Sequence, residues 1–428
     1  MYRINKCSVG YNLIVLLLSI YMFSRMSWGA WISDWIIGGC LLLSAFIGLY
    51  LWIKRTTSIR IDTFGILLIS VYLIIFLRSN YDLRNSFSSQ FWGNYFPLLC
   101  ILPVLFCLSY SDVWVILFKL ICVLFALFYA SILTVCSINK NVYYDFFYPI
   151  LFKKYSSIFV YMAPNPGAGF SCDYGMTAVY VAIGMCVLLA DLFSSNQIKY
   201  RKIRIGTVLF LFFALCICAK RSTLIGVIIG FIVLYIKLKD SKGKRYRIVL
   251  FVFISFLSAL LISLYIPSIN NVVDRTVELS RVSNITNGRL GMWRIACSSF
   301  LENPYFGKGW RWFKYYSPFR NDVHNFFLQI LGECGVILSI PFLAFFATNL
   351  RKCWKELGLY VVAKKSNDGF IYIFSLLFQV YFLAMIFFST AFYSSNILMM
   401  YLISSAIVRN TSVGGRYSGD KDNNTRMG

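Results

Sequence analysis

The chain contains one histidine, His324, directly after the polar residues Asn321, Asp322 and the apolar Val323. Asn321-Asp322 can cap a helix, so we expect His324 in the first turn of a long apolar helix. A helix N-terminus and nearby arginines both disfavour the imidazolium form. A neutral imidazole can accept a proton near neutral pH. His324 is therefore a candidate general base, and a structural histidine bonded to backbone or lipid is the alternative.

Two cations lie in a short turn between apolar stretches. Lys220-Arg221 separates the stretches 205–219 and 222–236. An arginine presents a planar fork that matches phosphate oxygens, so the turn could bind a phosphorylated ligand. Long cationic side chains also reach lipid phosphates at a membrane surface, which is the alternative interpretation.

A third basic feature is the segment 290–301, which we predict to be an amphipathic helix. Its apolar residues recur at i, i+3, i+7, i+10 and i+11, whereas Arg289 and Arg294 lie off that face. Asn303-Pro304 ends the pattern. We expect this helix along the membrane surface, with an anion site at its N-terminus beside Arg289. An ordinary interfacial helix is the alternative.

The composition limits what can position these residues. Hydrophobic residues make up 59% of the 428 residues, charged residues 14%, and mean hydropathy is +0.69. A soluble domain has about 25% charged residues. A water-soluble core cannot hide so much apolar surface. Soluble enzymes, disordered chains and disulfide scaffolds are excluded, and we predict an all-α polytopic membrane protein.

Twelve stretches are long and apolar enough to cross a bilayer core of about 30 Å, which needs roughly 20 residues per helix. They lie at about 9–27, 35–53, 62–77, 91–109, 113–135, 174–193, 205–219, 222–236, 248–267, 324–348, 370–389 and 391–408.

Positive charge predicts the orientation. With both termini inside, twenty-four of the 41 Lys and Arg residues fall in inside segments, sixteen fall outside, and Lys119 lies within a span. The inside loops are short and basic, as expected for cytoplasmic loops. Eight of the outside cations belong to the loop 268–323 between the ninth and tenth spans, which is long enough to cross the membrane regardless of charge. These charges are free for another purpose.

We treat residues 1–408 as a single transmembrane domain. Its sizeable extracytoplasmic loops are about 137–172 and 268–323, and the polar segment 409–428 is predicted to be a disordered cytoplasmic tail.

Two pairings within the domain can be proposed. Ionisable groups inside spans are usually functional, and helix geometry places Lys119 and Glu333 at depths from which they could form an ion pair. Of the 13 cysteines, Cys172 and Cys297 lie in separate outside loops and could form a disulfide. No cysteine or histidine set has metal-binding spacing.

Arg221, Arg289 and His324 fall on one side of the membrane in this topology. Two anion-binding arginines and one base suit transfer of a glycan from a lipid diphosphate. The arginines would hold the leaving diphosphate, while the base would deprotonate an acceptor hydroxyl that attacks the anomeric carbon. Such a reaction needs no cofactor and no metal.

At these residues the chain resembles the O-antigen ligase/polymerase superfamily of bacterial surface-glycan transferases. Asn287-Gly288-Arg289-Leu290-Gly291-Met292-Trp293-Arg294 is similar to the family's arginine/Trp helix, and Pro304-Tyr305-Phe306-Gly307-Lys308-Gly309 to the turn that follows it. His324-Asn325, nine residues and Gly335 resemble its His-Asn-x9-Gly signature. Arg221-Ser222 resembles the start of its eighth helix. The match covers roughly 205–345.

The resemblance implies a C-type-like, metal-independent glycosyltransferase with no cofactor, in the bacterial inner membrane, with its active site on the extracytoplasmic face. The donor would be an undecaprenyl-diphosphate-linked glycan and the acceptor a glycan or lipid. Membrane lipids, a chain-length regulator and a flippase are the other expected partners, and nucleic acid is not. We assign catalysis to His324, diphosphate binding to Arg221, Arg289, Lys220 and Arg294, and support to Asn325, Trp293 and Arg311.

The branch of the superfamily stays open. Two sizeable outside loops favour a polymerase, which must hold a growing chain and a new repeat unit, over a ligase. Leu338 stands where ligases often have Gly, Thr or Tyr, and no clear Arg-x10-Gly motif typical of some polymerases is present. A flippase or transporter is the rival from another class, but no half-repeat is visible. A peptidoglycan-type polymerase with Asp322 as its carboxylate, and a purely structural membrane role, are further alternatives.

Overall fold

The computed structural model describes residues 6–24, 27–55, 63–82, 95–108, 114–159, 164–194, 200–218, 220–238, 289–363 and 369–410. Throughout these ranges the regular structure is helical, without a strand. The all-α prediction is confirmed for this part of the chain.

The helices follow the apolar stretches closely. In chain order they are α1 (Lys6–Ser24), α2 (Asp34–Arg55), α3 (Thr63–Asp82), α4 (Phe96–Leu108), α5 (Val115–Ile138), α6 (Tyr148–Phe159), α7 (Tyr174–Ser194), α8 (Arg201–Cys218), α9 (Arg221–Lys237), α10 (Arg289–Glu302), α11 (Trp312–Tyr315), α12 (Phe326–Ala363), α13 (Gly369–Phe388) and α14 (Ser395–Asn410). Short 3₁₀ turns occupy Trp28–Ala30, Pro166–Ala168 and Ala391–Tyr393, and a π-helical segment, Val142–Phe147, leads into α6.

Five helices, α2, α5, α7, α12 and α13, are long and apolar enough to cross a membrane, and α1, α3, α4 and α14 are shorter apolar helices. The chain is thus a helical polytopic membrane protein. Of the twelve predicted stretches, 248–267 lies outside the described residues, as does nearly all of the predicted tail. Twelve spans and inside termini therefore stay predictions.

Two helices form the centre of the bundle. Nearly all of α7 and most of α13 are buried by other parts of the protein. α13 packs against α7, α9, α12 and α14, while α7 also packs against α5 and α8. Protein covers most of the surface of these two helices. Neighbouring helices therefore hold the ends of α7 and α13 in place, so that residues there can form a site.

α12 is broken at Gly335, the glycine of the His-Asn-x9-Gly signature. Gly335 has φ 65° and ψ −176°, which interrupts the helix. The turn 304–309 fills the break: Val336 N donates to Pro304 O at 2.7 Å, and Gly309 N donates to Glu333 O at 2.9 Å. These hydrogen bonds satisfy backbone groups that the broken helix leaves unpaired, which a membrane interior requires.

Glycine is necessary on both sides of this contact. A Cβ on Gly335 would lie 2.3 Å from the Tyr305 carbonyl carbon, and one on Gly307, at φ 68°, would lie 2.3 Å from that of Glu333. The two motifs are therefore halves of a single backbone-to-backbone joint.

Two predicted loops prove largely helical. Half of the segment 137–172, which was expected to be an extracytoplasmic loop, is the π-helical segment and α6, because Tyr143, Leu151 and Phe159 are buried in a small apolar cluster. The segment 349–368, one of the short basic loops predicted to lie inside, begins as helix: α12 continues to Ala363, and its extension buries Cys353 and Leu357.

The possible disulfide between Cys172 and Cys297 is not formed. Cys172 and Cys297 are both free thiols, Cys172 buried and Cys297 exposed. Cys172 packs in the same cluster as Cys136 and Tyr143, whereas Cys297 lies on α10. Loop membership in the sequence did not reveal that the two side chains belong to different parts of the molecule.

Candidate active site

His324 lies just before α12 rather than in its first turn. Its backbone is left-handed, with φ 57°. Asn325 caps the helix instead of Asn321-Asp322: its Oδ1 accepts from Leu328 N at 3.1 Å. The Asp322 carboxylate is taken by an ion pair with Arg311 at 3.0 Å. The predicted cap was wrong. The half-buried imidazole nevertheless lies at the N-terminal end of α12.

Trp293 fixes the residue next to His324. Its indole Nε1 donates to the Val323 carbonyl at 3.2 Å, and both residues belong to an apolar cluster with Ala296 and Phe313. α10 packs against α12 through this cluster. The supporting position assigned to Trp293 is consistent with this contact, because the indole ties α10 to the backbone beside the imidazole.

Arg289, the first residue of α10, reaches the C-terminal end of α13. Its Nη1 donates to the Phe388 carbonyl at 3.0 Å, where the helix dipole is negative. Burial lowers the pKa of the Arg289 guanidinium, Tyr174 opposes this effect, and the positive charge of Arg221 adds to it. Arg221 and Arg289 therefore lie close enough to repel each other, and Tyr174, an aromatic residue that we had not predicted, also lies near Arg289.

Lys220 completes the group of cations. It occupies the N-cap position of α9, and its Nζ lies 5.1 Å from the centroid of the Tyr174 ring. A Cβ on Gly175 would lie 2.9 Å from Lys220 Nζ and 3.0 Å from Asp173 Oδ1, so all three groups meet at the start of α7.

The charged groups that act on His324 include the cations described above. The pKa of the imidazole is lowered to about 4: burial is the most important cause, Arg289 and Lys220 also lower it, and Asp322 opposes them. The imidazole is neutral at pH 7. Lys220-Arg221, Arg289 and His324 come from three separate segments of the sequence and form one cluster. We call it the outer cationic cluster after its predicted side of the membrane.

Two other predicted residues lie elsewhere. Arg294 is exposed and comes five residues after Arg289, about 140° around α10, so the structure does not bring it to the cluster. Arg311 is 4% exposed, pairs with Asp322, and lies 4.0 Å from the centroid of the Tyr393 ring. Arg311 therefore holds the segment before His324 through its ion pair with Asp322.

The proposed Lys119–Glu333 ion pair is wrong. Lys119 Nζ lies 3.0 Å from Asp191, a carboxylate that Arg204 also contacts. Glu333 is fully buried and accepts hydrogen bonds from Gln329 at 2.9 Å and Tyr393 at 3.2 Å. The depths of Lys119 and Glu333 in the membrane were predicted from their positions along two helices. These positions do not reveal whether the two helices are neighbours.

Sequence reasoning missed several polar residues near the site. Gln329 and Glu333 follow Asn325 at intervals of four residues within an apolar span, a spacing that indicates one polar helix face directed at protein. This signal could have been used. Asp173 and Tyr174 carried none, because they lie at the edge of a predicted loop and far from the matched motifs.

Residues 206–346 match the family model described as O-antigen ligase. The match covers about a third of the chain. The match contains Lys220, Arg221, Arg289 and His324, and it confirms the superfamily that the motifs resembled. Members are glycosyltransferase-like enzymes of surface-polysaccharide synthesis, ligases and polymerases. No curated protein matches the chain.

Proposed function

We propose that this protein transfers a glycan from a polyprenyl diphosphate to an acceptor hydroxyl at the extracytoplasmic face of the bacterial inner membrane. The observation that carries the proposal is the outer cationic cluster, in which Arg289 and Lys220 act on a half-buried, neutral His324 and Arg221 lies near Arg289. In the proposed topology both termini are inside and twelve helices span the membrane.

His324 acts as the base. Its imidazole accepts the proton of the acceptor hydroxyl while the hydroxyl oxygen forms a bond to the anomeric carbon. The bond between that carbon and the diphosphate oxygen breaks, and the lipid diphosphate leaves with the electron pair. Arg221 and Arg289 stabilise the negative charge on the leaving oxygens, because guanidinium groups bind phosphate through paired hydrogen bonds.

Donor binding strengthens the base. A diphosphate on the arginines brings negative charge beside the imidazole and offsets the repulsion from Arg289 and Lys220 that lowers the His324 pKa. The pKa then rises toward neutrality, where a general base works best. We propose that this transfer proceeds without a metal ion or another cofactor.

Polymerisation of repeat units is our first choice of reaction, with an undecaprenyl-diphosphate-linked oligosaccharide as donor and the growing glycan as acceptor. The ligase reaction, which transfers finished glycan to a lipid or cell-wall acceptor, is the second candidate because the matching family is described by that activity. A chain-length regulator and a flippase are the proposed partners.

The proposal is tested by substitution of the cluster in cells. His324→Ala, Arg289→Ala and Arg221→Ala should each remove long-chain surface polysaccharide from gels while membrane levels of the protein stay normal. Arg294→Ala is the matched control, since this arginine is exposed on another face of α10 and should leave the polymer unchanged. Wild-type polymer in all three cluster variants would refute the mechanism.

A deletion strain separates the two reactions. If the protein is a polymerase, the strain should carry single repeat units on their normal anchor. If it is a ligase, full-length polymer should accumulate on the carrier lipid.

A further inference from the structure

A chain of buried polar contacts lies behind His324, and its central member is Gln329, which is 1% exposed. Its side-chain oxygen accepts from Val323 N at 3.0 Å. Its nitrogen donates to Asp322 Oδ1 and to Glu333 Oε1, both at 2.9 Å. The amide uses its acceptor and both of its donors. This arrangement fixes the amide orientation, because exchange of its oxygen and nitrogen would break all three hydrogen bonds.

Each of the three partners is also held by a second element. These second contacts are Arg311 Nη1 to Asp322 Oδ1 at 3.0 Å, Tyr393 OH to Glu333 Oε2 at 3.2 Å, and Trp293 Nε1 to Val323 O at 3.2 Å. Gln329 therefore connects α12 to α10, to the residue before α11 and to the turn before α14.

The contacts act on the two residues that directly precede His324. A left-handed backbone such as that of His324 is unfavourable for any residue with a Cβ, so its neighbours must hold it in place. Gln329 holds Asp322 by its side chain and Val323 by its backbone. Asn325, on the other side, is fixed as the helix cap.

We propose that Gln329 is the positioning residue of His324, and that it keeps the imidazole at the outer cationic cluster through Asp322 and Val323. This inference rests on the glycosyl transfer proposed above. A neutral amide is required because its partners Asp322 and Glu333 are both carboxylic acids. A glutamate at this position would lose both donors and add a third acid.

The test is Gln329→Met in the purified full-length protein, reconstituted in lipid. Methionine has a similar length and volume but makes no comparable hydrogen bonds. The donor is undecaprenyl-diphosphate-linked oligosaccharide extracted from a strain that lacks this protein, and release of undecaprenyl diphosphate gives the rate. We expect kcat to fall at least tenfold with KM for the donor within twofold, because the cations that bind the diphosphate remain.

The single histidine supplies a second readout. Ring-labelled histidine reports only His324 in untagged protein, and its one NMR signal should broaden or divide in Gln329→Met. The matched control is Gln379→Met in α13, which also removes a fully buried amide, one that donates to Ser375 rather than to the segment before His324. The control should keep both kcat and the histidine signal.

The outcomes are separable. If Gln329→Met lowers only the yield of folded protein, while kcat per folded molecule and the histidine signal stay as in the wild type, the inference is overturned. If His324→Ala is inactive and Gln329→Met is fully active, the inference fails and the proposed function survives. If His324→Ala keeps wild-type activity, the proposed function fails as well.

Discussion

At the scale of single residues, the proposed chemistry depends on a histidine whose proton affinity is set by its surroundings. Burial and the cations Arg289 and Lys220 lower the pKa of His324 to about 4, while Asp322 opposes them. The imidazole is thus neutral over the whole physiological pH range, as the proposed base must be, and we expect charges that bind beside it to change its pKa.

This balance gives a direct prediction for the titration of His324. Since removal of a nearby positive charge favours imidazolium, Arg289→Ala should raise the NMR titration midpoint above the wild-type value of about 4, though not to the ordinary 6.5, because burial remains. Asp322→Asn should lower it. Inorganic pyrophosphate should raise the midpoint in the wild type and less so in Arg289→Ala. If the titration midpoint of His324 stayed the same after all three changes, these charges would not act on His324, and the proposed cluster would be contradicted.

Tyr174 offers a second residue-scale prediction. Its ring lies 5.1 Å from Lys220 Nζ, and its phenol influences the Arg289 pKa, so it lies near two cations of the cluster. Tyr174→Phe keeps the ring and removes the hydroxyl. We expect a weaker donor interaction, seen as a KM increase of roughly threefold to tenfold, in line with the loss of about 1 kcal/mol for one hydrogen-bonding group. Tyr174→Ala should act more strongly, and unchanged KM in both variants would exclude Tyr174 from the site.

At the scale of elements, the joint between the turn 304–309 and the break in α12 is the main construction that positions the site. It places Glu333 and Gln329 on one side of Gly335 and the rest of the span on the other. Because the joint is made of backbone on both sides, side-chain movement cannot accommodate an added Cβ.

Gly335→Ala and Gly307→Ala should therefore both destabilise the protein. Each adds a Cβ 2.3 Å from backbone carbon at a positive φ, and we expect a loss of roughly 3 kcal/mol or more in unfolding free energy. Gly206→Ala in α8 is the control: no atom lies within 4 Å of its Cβ, and helix propensity alone predicts a gain of up to about 1 kcal/mol. The fraction folded after heating in detergent measures the difference, and equal stability of the three variants would refute the joint.

At the scale of the whole molecule, charge is sorted by the membrane. The cations Lys119 and Arg204 share the carboxylate of Asp191 toward the predicted inner side. The outer cationic cluster lies toward the opposite side in the proposed topology. In the proposed topology, the net charge of +24 combines cations that set the orientation with cations on the opposite face that are proposed to bind the substrate.

Cysteine accessibility tests this orientation. Cys297 is exposed on α10, in the segment that we predict to be extracytoplasmic. A membrane-impermeant maleimide should label it in spheroplasts, and Cys297→Ser should abolish this labelling. Buried thiols such as Cys122 and Cys186 should stay unlabelled until the protein is denatured. Labelling of Cys297 only after the membrane is permeabilised would reverse the topology.

The sequence by itself determined the helical membrane class, the superfamily and the residues of the outer cationic cluster. Spans follow from local hydropathy, and the motifs around Arg289 and His324 are short, contiguous patterns. Both kinds of information are local in the chain, so they can be read without knowledge of packing.

Only the tertiary structure decided which of these residues meet. It separated Arg294 from Arg289, gave Lys119 the partner Asp191, and brought Tyr174 to the cluster from a distant helix. It also revealed that the two glycine motifs close on each other and that Gln329 holds the segment before His324. The physical reason is that lateral neighbours in a helix bundle are chosen by packing and by satisfaction of buried polar groups, which no single segment encodes.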